Sequence, residues 1–130
     1  MRQPKFRGFS KETNSWHYGH GWFKSDYTEE YKQEKGIEDT TILHTDYSPV
    51  ECELSSMGQF TGVHDKNGTE IYEGDIIRSY NEYDEPFEVL SVVEYDEQYA
   101  KYRGVDIECL DYEEVIGNIY ENPSLLEDKQ

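Results

Sequence analysis

Residues 59–77 read QFTGVHDKNGTEIYEGDII, and this run leaves little room for anything but strands and tight turns. Asn67-Gly68 is the dipeptide that most readily supplies the two positive-φ residues of a type I′ hairpin turn. The flanking segments 59–64 and 69–72 are then the two arms. Glu73-Gly74 makes a second turn, and a further strand follows over 75–80. Asp75 stands where a carboxylate can cap the strand entry through the backbone, so Asn67, Gly68, Gly74 and Asp75 are read as structural turn residues.

The rest of the chain fits the same style. KFRGFS, KETN and SWHYG read as strand, turn and strand. SDYTEEYKQEKG reads as a helix, with Ser25 as N-cap, Tyr27 and Tyr31 four apart, and Gly36 as a left-handed stop. Asp26, Glu29 and Glu30 suit its positive end, and Lys32 and Lys35 its negative end. TTILHT and VECELS are strands separated by Ser48-Pro49. In FEVLSVVEYD, Val89, Val93 and Tyr95 share one face, opposite Glu88, Glu94 and Asp96. In VDIEC, Val105, Ile107 and Cys109 alternate with Asp106 and Glu108 as an inward-facing row. EEVIGNIY is a two-sided apolar strand in which Gly117 marks a bulge or a close approach. NPSLLE is a short helical turn with Asn122 as cap, Pro123 in the first position, and Leu125 and Leu126 docking it. Many short strands and one or two short helices predict an α+β, β-rich fold, a small partly open antiparallel β-barrel of SH3-like character.

A core must be assembled from few aliphatic residues, because only 35% of the 130 residues are hydrophobic and the mean hydropathy is −0.97. The 12 Tyr, 5 Phe and 2 Trp supply the missing apolar area. Length and even composition predict a single domain over residues 1–130, with frayed ends at 1–4 and 127–130. The net charge of −17 opposes direct binding to a phosphate backbone. Its one basic cluster, Arg2, Lys5, Arg7 and Lys11, stands at the start of the chain. The acidic excess is heaviest over 82–97 and 106–114. The N-terminal residues have no apolar signal region, and no apolar run approaches a membrane span, so a cytoplasmic protein with reduced Cys52 and Cys109 is expected.

Residues 58–77, GQFTGVHDKNGTEIYEGDII, together with residues 114–126, EVIGNIYENPSLL, resemble the YopX-like family of phage and prophage proteins. The opening KFRGFSKETNSWHYG resembles that family's start, with Gly8-Phe9 departing from the small residue and Trp expected there. The resemblance covers both ends and the centre of the chain and omits 22–57 and 78–113. It implies a phage or prophage origin, residence in the bacterial host, and an α+β fold with a partly open barrel. It implies no enzyme, cofactor or catalytic residue.

Sites of known chemistry find little support in the residues. As a calcium loop starting at Asp65, the chain has Glu70 where the loop requires Gly and Ile76 where it requires a bidentate Glu. Asp75 with Glu70 or Glu73 could form an acid–base pair, but these carboxylates sit among turn residues. His17 and His20 lack the compact Cys or His companions that zinc needs. GHGW is followed by neither a P-loop nor a dinucleotide pattern, and no G-x-S-x-G elbow occurs. Cys109, in the alternating row, is expected to be buried and inert. No cofactor or metal is therefore expected.

The remaining signal is tyrosine interleaved with carboxylate. Tyr80, Tyr83, Tyr99, Tyr102 and Tyr112, with Tyr95 among them, are the candidate interaction surface, since tyrosine combines rigid apolar area with a polar tip. A small core economising on aliphatics is the competing use of the same rings. The functional expectation is a non-enzymatic module that binds a host or phage protein, with no direct nucleic acid and no membrane. A homo-oligomer contact is a second use of that surface. An acidic mimic of nucleic acid that sequesters a basic partner is the alternative, and a carboxylate enzyme comes third.

Overall fold

The computed structural model describes residues 4–127, so Arg2 and most of the expected frayed ends lie outside the described residues. The chain divides into two compact units, Met1–Gln59 and Phe60–Gln130.

The first unit opens with β1 (Phe6–Ser10) and β2 (Ser15–Gly19), an antiparallel hairpin in register from Phe6 opposite Gly19 to Ser10 opposite Ser15. Its turn ends at Asn14, held at φ 55°, a conformation Asn tolerates better than most residues. Gly8 allows close approach, since a Cβ there would meet Cys52 Cβ at 2.8 Å. A second sheet has the order β3 (Gly21–Lys24), β4 (Thr40–His44), β5 (Pro49–Glu53), with Thr41, Leu43 and Cys52 fully buried.

Between β3 and β4 lies α1 (Glu29–Lys35). It begins later than the Ser25 cap predicts. The Ser25 amide donates to Thr40 O at 2.9 Å, so the chain is still paired with the sheet there. The cap is Thr28, with φ −72° and ψ 159°, whose hydroxyl accepts from the Tyr31 amide at 3.1 Å. Gly36 ends the helix at φ 66°, and Tyr27, although outside it, stacks on Tyr31 with ring centroids 4.9 Å apart. A 3₁₀ turn over Leu54–Ser56 leads to β6 (Gly58–His64), whose Gly58 and Gln59 pair with Arg7 and Phe6.

In the second unit the remainder of β6 pairs with β7 (Glu70–Tyr72), Phe60 opposite Tyr72 and His64 opposite Glu70. The sheet β12–β8–β9 joins β8 (Asp75–Tyr80) to β9 (Pro86–Val92) and to β12 (Glu113–Asn118). A ribbon of β10 (Glu94–Asp96) and β11 (Lys101–Arg103) completes the strands. Ile71, Ile77 and Val93 form the buried centre, packed by Val63, Tyr102, Val105, Leu110 and Val115. Tyr102 therefore serves as a core residue, and aromatic area does replace aliphatic area here. The chain is β-rich with several antiparallel sheets, and none of the strand orders among the described residues closes on itself.

Four local expectations are revised. The loop after β6 is not type I′. Gly68 has φ 83°, but Asn67 is absent from the non-glycine residues of positive φ. The Asp65 amide donates to Thr69 O at 2.9 Å and the Gly68 amide to Asp65 O at 3.0 Å, which closes a three-residue loop whose last residue alone is left-handed. Secondly, Val89 does not share Val93's environment, being 79% exposed against 1%. The Val93 amide donates to Asp75 O at 2.9 Å and continues the register of Ile76 opposite Val92, whereas Val89 lies in the bulge between the Arg78–Leu90 and Tyr80–Pro86 pairs, where the alternation breaks.

Thirdly, residues 105–109 form no strand. Asp106 accepts the Glu108 amide through its side chain at 3.1 Å and the Cys109 amide through its carbonyl at 3.0 Å, starting a 3₁₀ segment over Ile107–Tyr112. A local side-chain bond here competes with the strand ladder. Ile107 and Cys109 are consequently exposed, not inward. Fourthly, Asn122 precedes the Pro123–Leu126 turn as expected, but its side chain accepts from the Asn118 amide at 3.1 Å, not from the turn. The bulge at Gly117 is present, between Val115 and Gly117. A Cβ on Gly117 would meet Asn122 Oδ1 at 2.7 Å.

Candidate functional site

Three carboxylates of the second unit are buried, and each is bonded to neighbouring polar groups. Asp65 is 7% exposed. Its Oδ1 accepts the amides of Asn67 at 2.8 Å and Thr69 at 2.9 Å, and its Oδ2 accepts the Val115 amide at 2.8 Å. The Lys66 amide adds a bond to Glu113 O at 2.9 Å. The loop is thereby clasped to β12.

Glu113, the first residue of β12, accepts the Asp106 amide on Oε1 at 2.7 Å and the Ser79 hydroxyl on Oε2. It pins the 3₁₀ segment to β8. Beside it, Glu114 accepts the Tyr80 hydroxyl at 2.6 Å and the Asn67 side-chain amide at 3.3 Å. The Lys66 ammonium lies 4.2 Å from the Tyr80 ring centroid and 2.9 Å from an Asp84 carboxylate oxygen. The bond to Glu114 raises the Tyr80 hydroxyl above its ordinary pKa, and the bond to Asp84 does the same for Lys66. This arrangement stiffens two loops and the start of β12.

Asp75 is 1% exposed and its Oδ2 accepts the Tyr72 amide at 2.7 Å across the Glu73-Gly74 turn. Gly74 has φ 89°, and its amide and carbonyl bond Val93 O at 2.9 Å and the Ile119 amide at 2.8 Å. Sequence reasoning singled out Asp75 and read Asp65 as bonding its own turn, as it does through the Asn67 and Thr69 amides, but it missed the bond to Val115 and it missed Glu113. The third donor to Asp65 is fifty residues away, beyond the reach of a local pattern.

The five candidate tyrosines do not share one environment. Tyr80 is held by Glu114 and Lys66, and Tyr102 packs on the core with its ring 5.2 Å from Tyr95. Tyr83, Tyr99 and Tyr112 are exposed, on the β8–β9 loop, the β10–β11 loop and the 3₁₀ segment respectively. Two rings are thus structural and three face solvent.

Other candidates meet ordinary neighbours. His17 Nε2 lies 2.7 Å from Thr13 Oγ1, whereas His20 lies 3.2 Å from Pro4 O and 3.5 Å from Asp46. No group of three or more His, Cys, Asp or Glu among the described residues is arranged to hold a metal ion. Burial pushes the Cys52 thiol up to about 11. Cys109 is exposed, and the Asp106 charge beside it raises its pKa. Neither thiol is set up as a nucleophile. A shallow cleft of about 380 Å³ beside α1 is lined by Lys32 and Asp39. Lys32 sits 2.5 Å from Asp39 and 2.9 Å from Glu29, so its charge is already matched. No helix of the described residues is long and apolar enough to cross a membrane.

A family model described as YopX protein matches residues 5–127. Among solved structures, the crystal structure of protein EF1440 from Enterococcus faecalis is similar to this chain with a TM-score of 0.51 at 22% identity. The match covers 95% of this chain and 98% of that one, and it speaks for the fold. No curated protein matches.

Proposed function

Because the chain belongs to the YopX family, we propose that it is a phage or prophage accessory protein acting in the host cytoplasm by binding another protein, without catalysis of its own. The observation that carries this reading is the division of its acids and rings. The buried carboxylates Asp65 and Glu113 already accept backbone amides or a hydroxyl, while Tyr83, Tyr99 and Tyr112 stand in solvent among carboxylates. Aromatic side chains with polar rims are what protein interfaces use for anchoring. At the level of fold, the partly open SH3-like barrel is part of the same proposal.

Immobilised full-length protein, incubated with bacterial lysate over a range of salt, tests the binding role. Specific retention of a host or phage protein at physiological salt is the expected result, and no retention at any salt overturns the reading. Mimicry of nucleic acid is the second reading, favoured by the net charge of −17. It requires displacement of DNA or RNA from a basic protein, steeply weakened by salt. The carboxylate-enzyme reading has less support, because it needs two convergent acids with free lone pairs.

A further inference from the structure

We propose that the outer arm of the β8–β9 hairpin is a docking surface for a basic, partly apolar segment of another protein, recognised through side chains; this rests on the protein-binding reading above. Residues 82–89, EYDEPFEV, are exposed without interruption. Tyr83 in the loop and Phe87 and Val89 on the arm are 76%, 51% and 79% exposed, three apolar side chains in solvent within seven residues. β9 pairs with β8 on one side and has no strand on the other among the described residues.

The backbone of this arm is ill suited to adding a guest strand. Arg78 pairs with Leu90 and Tyr80 with Pro86, so residues 87–89 stand opposite Ser79 alone. That bulge and the missing amide of Pro86 interrupt the row of donors and acceptors a guest strand would use. A bulge also redirects the side chains it carries. Arg78 Nη1 donates to Phe87 O at 3.2 Å and holds the bulge in place. What the arm offers is therefore its side chains.

Charge selects the occupant. Asp84 is matched by Lys66 and Glu85 accepts from the Asn81 side chain at 2.8 Å. Glu82 and Glu88, on either side of Phe87, make no hydrogen bond or ion pair among the described residues. A second copy would bring the same carboxylates and another −17 against them, and a polyanion or anionic lipid surface would fare no better. A segment in which lysine or arginine alternates with apolar residues satisfies both features: cations meet Glu82 and Glu88, and apolar side chains cover Tyr83, Phe87 and Val89.

The test uses the full-length chain and two labelled synthetic peptides of equal charge, one alternating lysine with leucine and the other lysine with serine. Fluorescence anisotropy at physiological salt should show the leucine peptide binding about tenfold more tightly. The double variant Phe87→Ser, Val89→Ser should lose that advantage. Glu82→Gln with Glu88→Gln should weaken both peptides and flatten the salt dependence. All four positions are exposed, and unchanged melting would establish that each variant is folded. Equal affinity for the two peptides, or a serine variant that keeps the preference, overturns the proposal. So does a dimer in light scattering that the serine variant dissociates, because a second copy would then be the occupant. If a protein captured from lysate is held equally by the serine variant, this surface is wrong while the protein-binding reading stands. If the native chain captures nothing at any salt, both fall.

Discussion

The loop after β6 and the loop after β8 are built on the same backbone design. In the first, the Asp65 amide donates to Thr69 O at 2.9 Å and the Gly68 amide to Asp65 O at 3.0 Å. In the second, the Asn81 amide donates to Glu85 O at 2.9 Å and the Asp84 amide to Asn81 O at 3.0 Å. Each leading side chain accepts the amides two and four residues on, at 2.8 and 2.9 Å for Asp65 and at 2.8 and 3.0 Å for Asn81. Each loop ends in a left-handed residue, Gly68 at φ 83° or Asp84 at φ 63°. The difference lies in the second atom of the leading side chain. Asp65 Oδ2 reaches β12 and accepts the Val115 amide, while Asn81 Nδ2 donates locally to Glu85. The first loop is tied to β12 through its leading residue, while the second, beyond the Asp84–Lys66 ion pair, is exposed to solvent. Two turns of one backbone form but different sequence, DKNGT and NEYDE, can thus serve stability in one place and leave a surface available in the other.

The sharpest way to break this comparison is to give the first loop the chemistry of the second. Asp65→Asn keeps the acceptor for Asn67 and Thr69 but turns an N–H₂ group towards the Val115 amide. Leaving that amide without an acceptor should cost about 2–3 kcal/mol, read as a lower urea midpoint at unchanged slope. The reverse change, Asn81→Asp, should leave the midpoint nearly where it is. Equal effects from the two would mean that the bond to Val115 carries no weight.

The next effect is conformational. A Cβ on Gly68 would meet nothing within 4 Å, so a substitution there costs only backbone strain. Gly68→Val should destabilise the chain by about 1–2 kcal/mol, since a β-branched residue resists positive φ, and Gly68→Asn should recover most of the loss. Thermal melting of the three proteins checks this, and identical melting would remove the left-handed assignment.

Much of this architecture was legible in the residues. The hairpin arms of β1–β2 and β6–β7, the turn at Glu73-Gly74, the Gly36 stop and the bulge at Gly117 all follow from local chemistry acting over a few positions. What was not legible depends on distant or competing partners. Lys66 and Asp65 are fastened to Glu113 and Val115, about fifty residues on, so the loop takes a form that Asn67-Gly68 alone does not predict. Ser25 looked like a cap until Thr40 claimed its amide. Val105, Ile107 and Cys109 alternate as a strand would, yet Asp106 offers its neighbours a closer acceptor and the segment coils. The candidate surface fared similarly: the pattern marked tyrosines but could not say that Tyr80 and Tyr102 would be engaged and Tyr83 exposed.

Smaller still is the effect expected in the outer loop. Glu82→Gln with Glu88→Gln should shift the melting temperature by less than about 2 °C, because exposed side chains away from caps and cores contribute little. A larger loss would mean that these carboxylates hold the fold, as Asp65 does, and the contrast between the loops would disappear.

The smallest effect concerns how an exposed carboxylate acts on a neighbour when it is not buried by hydrogen bonds. Cys109 is exposed, and the Asp106 charge is the main cause that raises its thiol pKa, with partial desolvation and a hydrogen bond donated by the thiol to Asp106 adding to it. A raised thiol pKa lowers the thiolate fraction at neutral pH, and the thiolate is the form that reacts. Asp106→Asn preserves an oxygen for the Glu108 amide and removes the charge. The thiol pKa should then fall, and alkylation of Cys109 at pH 7 should become faster, with the two proteins converging as the pH rises above the native thiol's pKa. Cys52, buried and shifted to about 11, should stay unreactive in both and serve as the internal reference. An unchanged rate for Cys109 would show that solvent screens this carboxylate almost completely. The same screening would then apply to Glu82 and Glu88, leaving the apolar side chains to supply most of the selectivity of the outer arm.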